Sequence, residues 1–158
     1  MKQYYQDLND LDIAPSLQRL QYLLDTVPAL MQQVPESEFN QKPGPDKWSK
    51  KQIIGHLIDS AANNHQRFIR IQYEDKPILS YDQDAWNNLS YYQELDKERV
   101  INLWETMNRH LVHIAQNIPA QNLSRTGSLQ SGEEMSLAFY INDYVKHAEY
   151  HLKDIVAY

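Results

Sequence analysis

The stretch DKERVINLWETMNRHLVHIAQNIP, residues 96–119, carries the most regular pattern in the chain. Its large apolar side chains recur at alternating intervals of four and three residues, which places them along one face of an α-helix. Pro119 cannot continue a helix and ends the pattern. The stretch therefore predicts a helix over residues 96–117. Its apolar stripe, which continues one residue beyond the helix, consists of Val100, Trp104, Met107, Leu111, Ile114 and Ile118.

Residues 15–34 show a second apolar stripe with helical spacing. Pro28 lies inside this segment, lacks a backbone N–H and clashes with the preceding turn of a helix. We therefore expect the helix to kink or restart near Val27. The stripe consists of Leu17, Leu20, Leu24, Val27, Met31 and Val34.

Two further segments begin with recognisable helix caps. Ser49 and Gln52 form the S-x-x-Q capping box, in which each side chain satisfies a backbone N–H at the start of a helix. This box predicts a helix over residues 49–73. Ser136 is expected to cap a last helix, which runs from Leu137 nearly to the C-terminus.

Long connections over residues 76–89 and 121–134 separate the second, third and fourth helices. Four helices that are each apolar on one face must bury those faces against one another. At 158 residues the chain is long enough for one core. The sequence therefore predicts a single all-α domain, a four-helix bundle with long connections after helices 2 and 3.

Composition narrows the classes of function. With no cysteine, the chain cannot form disulfides, iron–sulfur clusters or zinc ribbons, and imidazole, carboxylate or carbonyl groups must hold any metal. The net charge of −6 argues against nucleic acid as a partner. Lys47, Lys50 and Lys51 form the densest basic group, and we expect them to be a solvated helix edge.

The sequence also predicts a location. No apolar run approaches the roughly 20 residues that a membrane span requires. Residues 1–12 are polar and acidic, without the basic start and apolar centre of a signal peptide. We expect a cytoplasmic protein that does not engage a membrane.

Histidine spacing suggests a metal site without establishing one. His147 and His151 lie one helical turn apart, close enough to share a cation. His110 and His113 form a similar pair, and both pairs are also compatible with ordinary polar residues at the edge of a core. His56 lies in the apolar part of the second helix, where it is either a metal ligand or a core histidine bonded to a carbonyl group.

Two known metal architectures do not fit these histidines. Thermolysin-like proteases place a glutamate directly after the first histidine, whereas here Ala148 follows His147 and Glu149 comes one residue later. Ferritin-like di-iron bundles require Glu-x-x-His on two helices, and no histidine of this chain has a glutamate three residues before it.

Four motifs in this order resemble the DinB/YfiT-like superfamily, and in particular its YfiT-like, bacillithiol-transferase-like branch. They are KWS at residues 47–49, GHLIDS at 55–60, YDQDAW at 81–86 and the H-x-x-x-H pair at 147–151. Together the motifs span most of the chain, and their order is more specific than any one of them.

The resemblance implies a single DinB-like four-helix bundle domain over residues 1–158 with one divalent metal ion, most often nickel or zinc. Carried over residue by residue, the metal ligands are His56, His147 and His151. Tyr81 and Asp82 belong to the family's loop near the site, and for Trp86 in that loop a packing role is expected. Ser60, Asn63 and Asp143 lie one or two turns from a ligand on the same helix, and these three join Tyr81 and Asp82 as candidate pocket residues.

The resemblance also implies an enzyme that acts on a small molecule. Some members of the superfamily are thiol S-transferases, one is an isomerase, and many are provisionally named metal-dependent hydrolases. We therefore expect a metal-dependent thiol S-transferase, with a low-molecular-weight thiol as cosubstrate, or a hydrolase. The alternative is a non-catalytic module of the same fold that binds a metal or a small molecule, and a homodimer is expected in each case.

Overall fold

The computed structural model describes residues 11–158 of the chain, so residues 1–10, on which most of the signal-peptide argument rests, lie outside the described part. Its helices are α1 (Ala14–Gln33), α2 (Glu36–Asn40), α3 (Lys50–Arg70), α4 (Gln83–Leu89), α5 (Lys97–Gln116) and α6 (Leu137–Leu152). Two short strands, β1 (Thr126–Ser128) and β2 (Glu134–Ser136), form an antiparallel hairpin, and single 3-10 turns span Tyr92–Glu94 and Ala120–Asn122.

The four long helices α1, α3, α5 and α6 form the predicted bundle. Helix α3 packs against α5 and α6, and α1 contacts the same two helices. Their facing side chains form one continuous apolar core, which includes the fully buried Leu24, Leu57, Trp104 and Ile141. Among residues 11–158, no helix combines the length and the hydropathy that crossing a bilayer requires.

Helix α1 runs through Pro28 without a break. The carbonyl oxygen of Leu24, which would accept a bond from an N–H at position 28, instead accepts one from Arg109 Nη2 at 3.2 Å. Of the two outcomes predicted near Val27, a kink or a restart, the restart is wrong, and a side chain from α5 supplies the donor that proline lacks.

The buried face of α5 is rotated away from the predicted stripe. Met107 is only half-buried, whereas Asn108 is completely buried. The amide of Asn108 donates to the carbonyl oxygen of Trp104 at 2.8 Å and accepts a bond from the Tyr144 hydroxyl of α6. A polar residue can lie in this core because both ends of its amide have partners.

Both of the long connections contain regular structure. The first holds α4, which Asp82 caps by accepting bonds from the backbone N–H groups of Asp84 and Ala85 at 3.1 and 3.0 Å. The second holds the β-hairpin, where a Cβ on Gly127 would lie 2.8 Å from the Ile71 side chain. The hairpin therefore packs closely against the end of α3, which a polar sequence did not predict.

The basic group at the start of α3 is not a solvated edge throughout. Lys51 is only 3% exposed, and its ammonium donates to the carbonyl oxygen of Leu95 at 2.7 Å. Lys50 binds Glu38 and the carbonyl oxygen of Ile155, each at 2.7 Å. These two lysines connect the start of α3 to distant parts of the chain.

Candidate metal centre

The structure brings the three predicted histidines together where α3 packs against α6. His56 comes from α3, while His147 and His151 come from successive turns of α6. One ring nitrogen from each histidine can be chosen so that all three lie within 4.8 Å of one another. The Nε2 atoms of His56 and His147 are 3.2 Å apart.

These separations fit a shared metal ion. Two nitrogens that bind one zinc ion at its usual bond length lie about 2.9 to 3.4 Å apart, depending on the coordination geometry. The 3.2 Å between His56 Nε2 and His147 Nε2 falls in that range, although an N–H···N hydrogen bond would also fit it. Three imidazoles without a carboxylate are a donor set that suits nickel and zinc.

Burial keeps the three rings neutral, which is the form that binds a metal. Burial, with a smaller contribution from His151, lowers the pKa of His56 to about 4. Burial and the neighbouring imidazoles lower the pKa of His147 to about 3, and burial also lowers the pKa of His151. At neutral pH each ring therefore has a nitrogen lone pair.

Aromatic neighbours pack around the histidines. The ring of Trp48, at the start of α3, lies 5.1 Å from the ring of His56, and Tyr150 lies 5.2 Å from His151. The Nδ1 atom of His56 is buried and has no hydrogen-bond partner within residues 11–158. Leaving a ring nitrogen unpaired in this way costs free energy.

The three histidines border two cavities. The larger, of about 890 Å³, is lined by His151 together with Trp48, Ile53 and Tyr150. The smaller, of about 300 Å³, is lined by His56 and His147 and by a set of mainly polar side chains. That set is Ser60, Asn64, Arg67, Tyr81, Gln83, Asp143 and Tyr144.

Three of the five predicted pocket residues, Ser60, Tyr81 and Asp143, line the smaller cavity. The other two have different surroundings. Asp82 caps α4, and Asn63 donates to the carbonyl oxygen of Asp59 at 2.9 Å within α3.

Two further residues lie near the site: Trp86, for which the sequence predicted a role, and Arg67, for which it did not. Trp86 is 38% exposed and lies against Tyr81 with ring centroids 5.3 Å apart, and its packing role stays a prediction. Arg67 was not predicted, although it follows His56 by about three helical turns and so lies on the same face of α3.

The second histidine pair lies elsewhere. His110 and His113 are exposed on α5, and His110 lies beside His65 with ring centroids 5.3 Å apart. Across the described residues, His56, His147 and His151 form the one group of three or more histidine or carboxylate side chains whose ligand atoms lie close enough to share a metal.

Comparison with known proteins gives a family match over most of the chain. A family model described as the DinB superfamily matches residues 18–155. A protein of Halalkalibacterium halodurans that is provisionally named a metal-dependent hydrolase is 26% identical over 150 residues, which cover 94% of this chain and 87% of that protein. YfiT of Bacillus subtilis, with the same provisional name, is 25% identical over 139 residues, covering 84% and 78% of the two chains.

Solved structures match the fold. The structure of Bacillus subtilis YfiT, described as having an unusual four-helix bundle topology, superposes with a TM-score of 0.76 at 23% identity, covering 89% of this chain and 83% of YfiT. A mycothiol-dependent maleylpyruvate isomerase superposes with a TM-score of 0.77 at 16% identity, covering 97% of this chain and 63% of the isomerase. At these identities the likeness concerns the fold alone, and it confirms the predicted four-helix bundle.

Proposed function

This chain belongs to the DinB superfamily, and from that membership we propose that it is an enzyme that acts on a small molecule with one divalent metal ion. The observation that carries the proposal is the cluster of His56, His147 and His151, which the fold places between two helices and beside two cavities. Relatives that bear the name of metal-dependent hydrolases support the dependence on a metal.

The three imidazoles would hold the ion, and we propose nickel or zinc because both bind well to this donor set. Three protein ligands are fewer than the four that close a structural zinc site, which favours a catalytic use. A divalent ion in this place supplies Lewis acidity, which lowers the pKa of a thiol or of water. The surrounding side chains bind and orient the reactants and accept protons.

The two cavities favour transfer between two substrates, and thiol S-transfer is the reaction we propose first. The chain has no cysteine, so a separate low-molecular-weight thiol must supply the sulfur. Its sulfur forms a bond to an electrophilic carbon of the second substrate, while the bond from that carbon to its leaving group breaks with the electron pair. The mycothiol dependence of the structurally similar isomerase is compatible with a thiol cosubstrate.

Asp143 is placed to accept the thiol proton. It is the only carboxylate among the described residues that line the smaller cavity. Burial raises the pKa of Asp143, and the charge of Arg67 acts in the opposite direction. A raised pKa makes a carboxylate a better base.

Hydrolysis is the second candidate, because the relatives from Halalkalibacterium halodurans and Bacillus subtilis carry the name of hydrolases. Water would then take the place of the thiol, and an ester or amide would occupy one of the cavities. A non-catalytic module that binds a metal or a small molecule is the remaining alternative. The expected homodimer stays a prediction, which light scattering after size exclusion would check.

The deciding experiment is an assay of the metal-loaded protein with a low-molecular-weight thiol and monochlorobimane. We expect conjugation whose rate rises with pH until the thiol is fully deprotonated. His151→Ala should abolish the reaction, whereas the double variant His110→Ala/His113→Ala should retain it, because that pair lies outside the cluster.

The assay also separates the alternatives. A hydrolase would cleave an ester or amide without added thiol. A binding module would turn over neither class of substrate, although a small ligand would still raise its melting temperature. The absence of turnover with a broad panel of both substrate classes would therefore contradict the enzyme proposal.

A further inference from the structure

Arg67 is a cation in the wall of the smaller cavity with few protein partners. Its Nη2 donates to the carbonyl oxygen of Leu79 at 2.9 Å, and its Nη1 donates to Asn64 Oδ1 at 3.3 Å. Its Nε is screened from solvent and has no acceptor within residues 11–158. A guanidinium group has five N–H donors, so more than half of the hydrogen-bonding capacity of Arg67 is not met by these partners.

The surroundings of Arg67 differ from those of three other arginines of the chain. Arg19, Arg70 and Arg109 each form an ion pair with a carboxylate, and their side chains are 39%, 34% and 43% exposed. No carboxylate of the described residues lies within 4.0 Å of the guanidinium nitrogens of Arg67. Arg67 is half-buried, and a partly buried cation without a direct counter-charge costs free energy.

The shape of the cavity connects Arg67 with the histidines. His56 and His147 line the same space of about 300 Å³, which is at the lower end of the volumes usual for small-molecule sites. Asp143 also lines this space without pairing with Arg67, so the two opposite charges are both available to a ligand. The Tyr140 ring, 5.4 Å from the guanidinium carbon, supports one side of the cation.

We propose that Arg67 binds an anionic group, foremost a carboxylate, of the small molecule that reacts beside the three histidines. The planar guanidinium suits a carboxylate because it can donate two parallel hydrogen bonds. Arg67 would then fix one end of the molecule in the smaller cavity and leave the other end at His56 and His147. The position of the reacting end rests on the proposed function, whereas the anion site rests on the surroundings of Arg67.

Titration of ¹⁵N-labelled protein with two small thiols tests this site directly. Mercaptoacetate carries a carboxylate, and 2-mercaptoethanol of similar size is neutral. We expect mercaptoacetate to shift the Nε–H resonance of Arg67 and to bind at least about tenfold more tightly than 2-mercaptoethanol, as expected for a charge-assisted pair. Arg67→Gln should remove that preference and Arg67→Lys should retain part of it.

Arg70→Gln is the matched control, because Arg70 lies on the same helix, pairs with Glu74 and does not line the cavity. It should leave the preference unchanged. Equal affinity of the wild-type protein for the two thiols, or a preference that survives in Arg67→Gln, would overturn the proposal. If Arg67→Gln does not fold, the shift of the wild-type Arg67 resonance and the thiol affinities of Arg67→Lys test the proposal instead.

A third probe, malonate, separates this proposal from the proposed function. Malonate carries carboxylates and no thiol, so a shift of the Arg67 resonance by malonate supports the anion site whether or not thiols react. If metal loading raises the affinity of the protein for neither thiol while malonate still shifts the Arg67 resonance, the proposed thiol chemistry is contradicted and the anion site is supported. If metal loading raises the affinity for both thiols equally and malonate has no effect on the resonance, only the proposed anion site is contradicted.

Discussion

At the scale of single residues, burial controls the candidate site. His56 is 2% exposed, and its ring is surrounded by Trp48, His147 and His151. Such an environment disfavours a protonated imidazole and favours a neutral one. Neutral rings with free lone pairs are ready to bind a cation, so the fold prepares these residues for a metal.

Metal content is the most direct prediction from these three residues. Tag-free protein should contain about one divalent ion per chain by elemental analysis, because three imidazoles on two helices form one mononuclear site. His56→Ala, His147→Ala and His151→Ala should each lower the content to near zero. His110→Ala/His113→Ala should keep it, and loss of metal in this control with retention in the other variants would show that the ligands are misassigned.

Acid should destabilise the metal-free protein through the same rings. Unfolded histidine has a pKa of 6.5, whereas folded His56 has a pKa of about 4. Between these values the unfolded chain binds a proton that the folded chain does not, so the stability contributed by a neutral ring is complete above pH 6.5 and is lost as the pH falls towards 4. Each such ring lowers the free energy of unfolding by at most about 1.4 kcal/mol for each pH unit in this range.

Urea unfolding in the presence of a chelator measures this loss. The free energy of unfolding should fall as the pH is lowered from about 7 to about 5. In His147→Gln this free energy should fall less steeply than in the wild type, because one titrating ring is gone. His113→Gln, at an exposed position on α5, should follow the wild type. Parallel curves for wild type and His147→Gln would contradict the assignment of the pH dependence to the cluster.

Spacing in the sequence could predict only part of this site. His147 and His151 are one turn apart on one helix, so periodicity alone brings them together. His56 belongs to another helix, and no local rule says which faces of α3 and α6 meet. The family resemblance supplied His56, and Arg67 was missed because its importance depends on a cavity that exists only after the helices pack.

At the scale of helices, the sequence predicted where helices start better than it predicted which of their faces are buried. Ser49 and Ser136 start α3 and α6 as predicted, because a cap depends on a few adjacent residues. The face of α5 was misjudged at Met107 and Asn108, because a buried amide can look like a surface residue in the sequence. Its partner, Tyr144, is 36 residues away in the chain.

The contact between α5 and α6 leads to a stability prediction. Tyr144→Phe removes the hydroxyl that donates to Asn108 Oδ1 and leaves that buried oxygen without this donor. We expect the free energy of unfolding to fall by about 1 to 3 kcal/mol, the usual cost of an unsatisfied buried polar group. Tyr150→Phe makes the same change on the same helix at an exposed position, and chemical denaturation should show little effect there.

An equal loss of stability in the two variants would contradict the role of the Asn108 contact. The pair of variants differs in burial and not in chemistry, so the comparison isolates the buried hydrogen bond. Both tyrosines lie on α6, and Tyr150 is 69% exposed.

At the scale of the whole molecule, the fold collects distant segments around one cluster. The larger cavity is lined by α2, the connection before α3, the start of α3, α4 and the end of α6. The smaller cavity is lined by α3, by α6, and by the start of α4 with the connection that precedes it. The bundle itself was predictable because four amphipathic helices have few ways to bury their faces. The cavities were not, because they depend on how the long connections fold back.

The two cavities also predict the kinetic order of the proposed transfer reaction. If the thiol and the electrophile bind in separate spaces that meet at the histidines, both must be bound before the transfer occurs. Initial rates measured at several concentrations of both substrates should therefore give intersecting reciprocal plots. Parallel plots would indicate a covalent intermediate on the protein and would contradict this arrangement.

Variants in each cavity sharpen the same prediction. Ile53 lines only the larger cavity and Ser60 only the smaller. Because monochlorobimane is largely apolar, Ile53→Ala should raise the KM for monochlorobimane several-fold and leave the KM for the thiol unchanged. Ser60→Ala should do the reverse, since the smaller cavity contains Asp143, the proposed acceptor of the thiol proton. If both variants changed both constants to the same extent, the two substrates would share one space, and the larger cavity would have no separate part in the reaction.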